Sequence, residues 1–212
     1  MVVFREGTDN APAWSDVRNF DTFSLPLGGS LVLSRRDERE VILVSAGNLL
    51  FDDGFEQVVL REGQFVVVAG GIKSVTLSST IRPAEIVRFG GNWKPGVYGC
   101  GLFEVSLQSR CQFVGDPVGY PKKTDFDSHY HDYDEYWLLL SGSGTVVVSD
   151  KQFPVRKGDC LAIEKWRHHD FPLVDQPVKV AYLEVGLRAP GRLGHLWNYL
   201  HGEPPVTPEP LK

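Results

Sequence analysis

Cysteine is scarce in this 212-residue chain. The three present (Cys100, Cys111 and Cys160) are an odd number with no C-x-x-C spacing. That excludes a disulfide framework and suits reduced thiols, so the expected compartment is the cytoplasm. Basic residues are also short, with 22 Lys and Arg against 27 Asp and Glu for a net charge of −5. Nucleic acid and anionic membrane surfaces both need a basic footprint and are not expected partners. No run approaches the roughly 18 apolar residues of a membrane span. The opening MVVFREGTDN lacks the basic and apolar regions of a signal peptide. Also missing are a Ser-His-Asp signature, a Gly-rich phosphate loop and a dinucleotide fingerprint, and the corresponding chemistries go with them.

What remains is an ordinary globular composition, 42% hydrophobic and 23% charged, dominated by strand patterns. Short runs rich in Val, Leu and Phe (SLVLS, EVILVSAG, QFVVVAG, EYWLLLSG, TVVVSD, VKVAYLEVGL) alternate with Gly and Asp. Such spacing predicts an all-β sandwich or barrel and not βαβ units. One helical pattern stands near the end. Leu193, Leu196, Trp197 and Leu200 follow i, i+3, i+4, i+7, which predicts a short C-terminal helix over 192–201. The tail beyond it carries four prolines and should be extended.

The chain also repeats itself. At an offset of 95 residues, Glu40-VILVSA-Gly47 lies over Glu135-YWLLLS-Gly142, and Arg61-Glu-Gly63 lies over Arg156-Lys-Gly158. A repeat this long indicates a doubled domain and not a solenoid. The turn-rich Gly90-Gly91-Asn92 marks the break. The expected organisation is one barrel over 1–91, a second over 92–190, and a helix with a Pro-rich tail over 191–212.

Four of the six histidines lie between positions 129 and 169. In an extended segment side chains alternate with period 2, so His129 and His131 face the same way as a two-imidazole clamp. Glu135 opens the apolar run Tyr136–Leu140. A carboxylate there needs its charge stabilised, as a bound cation does. A third imidazole, from His168 or His169 after the strand Asp159–Ile163, would complete a set of three His and one Glu.

These residues resemble the cupin superfamily, whose motifs read G-x5-H-x-H-x3,4-E-x6-G and G-x5-P-x-G-x2-H-x3-N. The core of the first stands here as His129-x-His131-x3-Glu135-x6-Gly142, although the nearest preceding glycine, Gly119, lies ten residues before His129. In the second, Gly158 is present and the register selects His169 over His168 as ligand. Glu164, Trp166 and Leu173 occupy the Pro, Gly and Asn positions. The resemblance covers residues 97–187 well and 30–90 weakly. It implies two tandem jelly-roll barrels and one divalent ion per chain (Fe, Mn, Ni or Zn) on His129, His131, Glu135 and His169. In the first barrel Ser34, Arg36 and Ser74 occupy the histidine positions and only Glu40 persists, so that barrel is expected to be structural or to form a homodimer interface.

Around this set, Tyr133, Trp137, Trp166 and Arg167 are candidate substrate-binding residues. Glu164 is the candidate general base, and Lys165 with Arg167 could hold a substrate carboxylate or phosphate. Three imidazoles and one carboxylate leave coordination positions open for a small-molecule substrate. Lewis-acid chemistry of sugar isomerase or epimerase type is one expectation, through similarity to mannose-6-phosphate-isomerase-like cupins. A non-haem Fe(II) dioxygenase and a non-catalytic binding or sensing module are the others.

Overall fold

The computed structural model describes residues 3–7, 10–97, 99–108, 115–186, 204–206 and 211. Its regular structure is thirteen β-strands among those residues: β1 (Val3–Arg5), β2 (Val17–Leu25), β3 (Ser30–Ser34), β4 (Arg39–Asp52), β5 (Gln57–Arg61), β6 (Phe65–Val68), β7 (Ser74–Ser78), β8 (Ala84–Gly91), β9 (Gly99–Val105), β10 (Asp134–Val148), β11 (Lys151–Arg156), β12 (Asp159–Ile163) and β13 (His169–Val185). The helix expected over 192–201 lies outside the described residues. No described helix is long and apolar enough to cross a membrane.

The strands form two antiparallel systems, each a jelly-roll half. One runs β2-β8-β4-β7-β3, with β5 and β6 also on β4. The other runs β1-β12-β10-β13-β9, with β11 on β10. The first strand crosses the division expected at residue 91, because Val3, Phe4 and Arg5 pair with Leu161, Cys160 and Asp159 of β12.

Each half fills its own interior. Ile42, Val44, Leu49, Phe51 and Leu77 pack inside the first. Trp137, Leu139, Val146, Leu161, Phe171 and Val180 pack inside the second. A third cluster joins them, since the alternate residues of the same strands face the other way. Val41, Leu43, Val87 and Phe89 meet Tyr136, Leu138, Cys160, Ala181 and Leu183. Burial on both faces explains why most of β12 and the Tyr136–Leu139 part of β10 read as continuous apolar runs. The Tyr136 hydroxyl lies 3.1 Å from Ser15 Oγ and accepts a hydrogen bond from the Asp16 amide at 3.2 Å, tying the halves together. Burial pushes the Cys100 and Cys160 thiols up, so both are inert packing groups.

The 95-residue repeat is visible in the main chain. Gly63 N donates to Val44 O at 2.9 Å and Glu62 N to Gly47 O at 3.2 Å. At the same offset Gly158 N donates to Leu139 O at 2.9 Å and Lys157 N to Gly142 O at 3.0 Å. Gly47 and Gly142 both have positive φ, 79° and 76°. Each presses on a proline carbonyl where a Cβ would sit, Pro83 O at 1.9 Å and Pro177 O at 2.2 Å. Both halves therefore use glycine for the same steric reason.

Candidate metal centre

His129 and His131 sit just before β10 in an extended segment held by single bridges and not by a full strand. His129 pairs with His169, the first residue of β13. Their amides and carbonyls exchange hydrogen bonds at 3.2 and 2.8 Å. His131 O accepts from the Trp166 amide at 2.7 Å. Glu135 is the second residue of β10, between Ile163 of β12 and Glu184 of β13. Two separate long-range pairings thus bring ligands more than thirty residues apart to one end of the barrel.

The expected set converges. His129, His131, Glu135 and His169 are all buried, and one ligand atom from each lies within 4.8 Å of the others. Two donors on opposite sides of an ion, each about 2.1 Å from it, stand about 4.2 Å apart, so the spacing suits one ion. Protonation is fixed from outside. His129 Nδ1 faces Asp127 O at 2.9 Å, His131 Nδ1 faces Tyr133 O at 2.8 Å, and His169 Nδ1 faces Arg167 O at 2.8 Å. A carbonyl only accepts, so each Nδ1 carries a proton and each Nε2 can present a lone pair inward. His131 Nε2 lies 2.9 Å from Glu135 Oε2, a contact that requires a proton or a metal cation between them. His169 Nε2 is buried without a hydrogen bond, its distance to Glu135 Oε2 being 3.4 Å. Burial, with His169 and His131 nearby, pushes His129 well below the usual imidazole range. Burial alone would raise Glu135, yet the His131 and His169 contacts hold it well below the usual carboxylate range. A neutral imidazole, as at His129, and an ionised carboxylate, as at Glu135, are donors a divalent ion takes.

The other expected site residues fall around this cluster in different ways. Tyr133 is fully buried, its ring stacked on His131 at 3.8 Å. Trp137 is a core residue, edge-on to His169 at 5.4 Å. Trp166 is half-buried with φ of 65°, so the backbone keeps the left-handed conformation that the family motif gives to glycine. Arg167 is buried and engages Glu164 Oε2 through Nε at 2.9 Å and Nη2 at 2.5 Å. Glu164 is therefore held in an ion pair outside the four-residue cluster. His168 points to Asp116 Oδ2 at 2.9 Å, away from its neighbour His169, which fits alternation along the chain.

Sequence reasoning missed part of the wall. Phe103 and Phe126 pack on Trp137 at 5.3 and 5.2 Å, and Tyr182 lies 6.2 Å from Phe103. Glu184 is buried directly across from Glu135. The signal for this wall was Gly99-x-Gly101, two glycines with strand spacing that face one side of β9.

In the first half the equivalent position is closed. Glu40 accepts from the Arg36 and Asp37 amides at 2.8 and 3.2 Å, and the buried Arg88 guanidinium stands 3.7 Å from it. Arg88 also pairs with Asp21 at 2.6 Å. A guanidinium thus supplies the positive charge that Glu40 requires.

Comparison with known proteins places this geometry. The Cupin domain family matches residues 118–186. The chain is 39% identical over 209 residues to "Uncharacterized protein y4oW" of Sinorhizobium fredii (strain NBRC 101917 / NGR234), covering 99% of this chain and 96% of that one. Among solved structures, oxalate decarboxylase of Lactobacillus farciminis superposes with a TM-score of 0.57 at 10% identity, over 91% of this chain and 88% of that one. An iolB-like protein of Salmonella typhimurium gives a TM-score of 0.55 at 15% identity, over 88% and 93%. Similarity at these identities concerns the fold alone.

Proposed function

The chain belongs to the cupin superfamily, and on that premise we propose that it is a metal-dependent enzyme acting on a small hydroxycarbonyl compound by isomerase- or epimerase-type proton transfer. One observation carries the reading. Three imidazoles, each with its Nδ1 proton committed to a main-chain carbonyl, turn their Nε2 atoms with Glu135 toward one buried point. A divalent ion held there would polarise a substrate carbonyl or hydroxyl and acidify the adjacent carbon.

The chain's own residues do the rest. The carbonyls of Asp127, Tyr133 and Arg167 fix the ring orientations, as outer-shell acceptors do at metal sites. Phe103, Phe126, Trp137 and Phe171 make an apolar wall that lowers the local dielectric and strengthens every charge interaction beside it. Arg167 is bound to Glu164 and holds the turn before His169; it is not a free anion clamp. That favours an uncharged end of the substrate at this side.

The test begins with elemental analysis of protein purified without added metal, expected to give about one equivalent of zinc, nickel or manganese. Aldoses, ketoses and their phosphates are then followed by NMR for interconversion. Stoichiometric iron with oxygen uptake on phenolic or dicarbonyl substrates would replace the reading with an oxygenase. Absence of metal would remove it.

A further inference from the structure

Glu184 and Tyr182 face the interior of the metal-bearing barrel. The register aligns Glu135 with Glu184 and Trp137 with Tyr182 across β10 and β13, and paired residues share a face. Across the next strand their partners are Gly99 and Gly101. Those glycines leave the space that the Glu184 and Tyr182 side chains occupy. A Cβ on Gly99 would lie 2.1 Å from Glu184 Oε2, and one on Gly101 would lie 3.2 Å from Tyr182 Oη. The Glu184 carboxylate therefore lies over β9, while its Cβ stands about 5 Å from that of the ligand Glu135.

The first barrel shows what the same frame does without this arrangement. There Gly90 stands across from Glu40, and Arg88 stands two residues before it. Asn19 and Asp21 on β2 occupy the positions of the two glycines. A Cβ on Gly90 would meet Asp37 Oδ2 at 2.2 Å and Asn19 Oδ1 at 2.7 Å, so that mouth is filled. Large and small residues have exchanged strands between the halves, and the barrel with the histidines is the one that carries a carboxylate, Glu184, across from its cluster glutamate.

We propose that Glu184 is the proton-transferring residue of this site, seated over Gly99 to face a substrate held at the His129, His131, Glu135 and His169 cluster. The role rests on the isomerase-type reading above. The Glu184 carboxylate takes the proton from the carbon beside the polarised carbonyl. The C–H electron pair becomes the C=C bond of an enediol, and a hydroxyl proton moves from the second oxygen to the first. Glu184 then returns its proton to the neighbouring carbon, so no electrons are gained or lost. A carboxylate in this position also disfavours acidic substrates and points to neutral polyhydroxy compounds.

The test uses the metal-loaded full chain and two probes. Dihydroxyacetone in D2O, followed by NMR, reports proton removal; glycolate and its neutral isostere glycolamide, followed by calorimetry, report the charge facing the site. Glu184→Gln is expected to slow deuterium incorporation at least about 100-fold. It should tighten glycolate about tenfold and leave glycolamide, metal content and melting temperature within error of wild type. Gly99→Ala, which displaces the carboxylate without removing it, should slow exchange in the same direction. Wild-type exchange in Glu184→Gln overturns the proton-transfer role. Unchanged glycolate affinity overturns its placement toward the site. Metal-replete wild type that exchanges no deuterium overturns the isomerase-type reading, and the role falls with it.

Discussion

The His131 imidazole lies flat on the ring of Tyr133, centroids 3.8 Å apart and planes 4° from parallel, while its Nδ1 proton is held by the carbonyl of that same tyrosine at 2.8 Å. One residue thus sets both the plane and the tautomer of a metal ligand. Two kinds of contact act on one ring, so its orientation has little freedom left, and a pre-set ligand loses less entropy on binding an ion.

Tyr133→Phe keeps ring and carbonyl and should hold metal within about tenfold of wild type. Tyr133→Ala removes the stack and leaves a cavity beside His131. It should weaken metal binding by about 10–100-fold, the range for outer-shell changes, and cost about 3–5 kcal/mol of stability as a buried aromatic truncation. Competition with a chromogenic chelator measures the first effect and denaturant unfolding of the metal-free protein the second. Equal affinities for the two variants would remove Tyr133 from the support of the site.

Trp166 gives a backbone prediction. Its φ of 65° puts an L-residue where the left-handed conformation costs about 1–2 kcal/mol, and its amide fixes His131 O at 2.7 Å. Trp166→Gly relieves the backbone but gives up the ring and adds chain entropy of about 0.5–1 kcal/mol. These effects roughly cancel, so metal affinity should stay near wild type. Trp166→Val places a β-branched residue at positive φ and should lower both stability and metal affinity. Thermal melts with and without metal separate the two variants, and a Val variant as stable as the Gly variant would refute the argument.

The two motif glycines of the second barrel differ in a way their sequence does not show. Both have positive φ, 76° at Gly142 and 86° at Gly158. A Cβ on Gly158 meets nothing within 4 Å, whereas one on Gly142 lies 2.2 Å from Pro177 O. Gly158→Ala should therefore cost only the conformational term, about 1–2 kcal/mol. Gly142→Ala adds main-chain overpacking of about 1–3 kcal/mol and should be clearly worse in urea unfolding. Comparable midpoints for the two variants would contradict the steric distinction.

This contrast also marks what could be read from the chain. His129, His131 and Glu135 were legible because their spacing encodes a shared direction, and Gly142 and Gly158 because a 95-residue repeat named them twice. His169 was legible by register from Gly158 alone, and the observed pairing with His129 supplies the physical reason for that choice. Glu184 was not legible. In the run VKVAYLEVGL it looks like an interruption, and its direction depends on alignment with Glu135, about fifty residues away. The pairing of Val3–Arg5 with β12 had no local signal at all, since a three-residue strand takes its partner from the folded surface. What the sequence hides here is long-range register.

The loop before His129 rests on a buried ion pair. Lys122 Nζ lies 2.6 Å from Asp170 Oδ1, with both side chains almost fully excluded from solvent. Lys122 also donates to Phe126 O, and the Tyr120 hydroxyl donates to Asp170 Oδ2 at 3.0 Å. Asp170 follows the ligand His169, and Phe126 packs 6.3 Å from the His129 ring, so the pair clamps both sides of the metal cluster. Lys122→Met leaves the carboxylate buried without its cation and should destabilise the protein by about 3–5 kcal/mol. Replacing both partners, as in Lys122→Met with Asp170→Leu, removes the uncompensated charge and should recover most of that loss. The double-mutant cycle, read by denaturant unfolding, therefore yields a coupling energy well above the roughly 1 kcal/mol of an exposed pair. A double variant no more stable than Lys122→Met would mean that the loop is held by its packing and not by the charge pair. Metal affinity separates the consequences, because the double variant keeps Phe126 against His129 only if apolar side chains can fill the space the ion pair leaves.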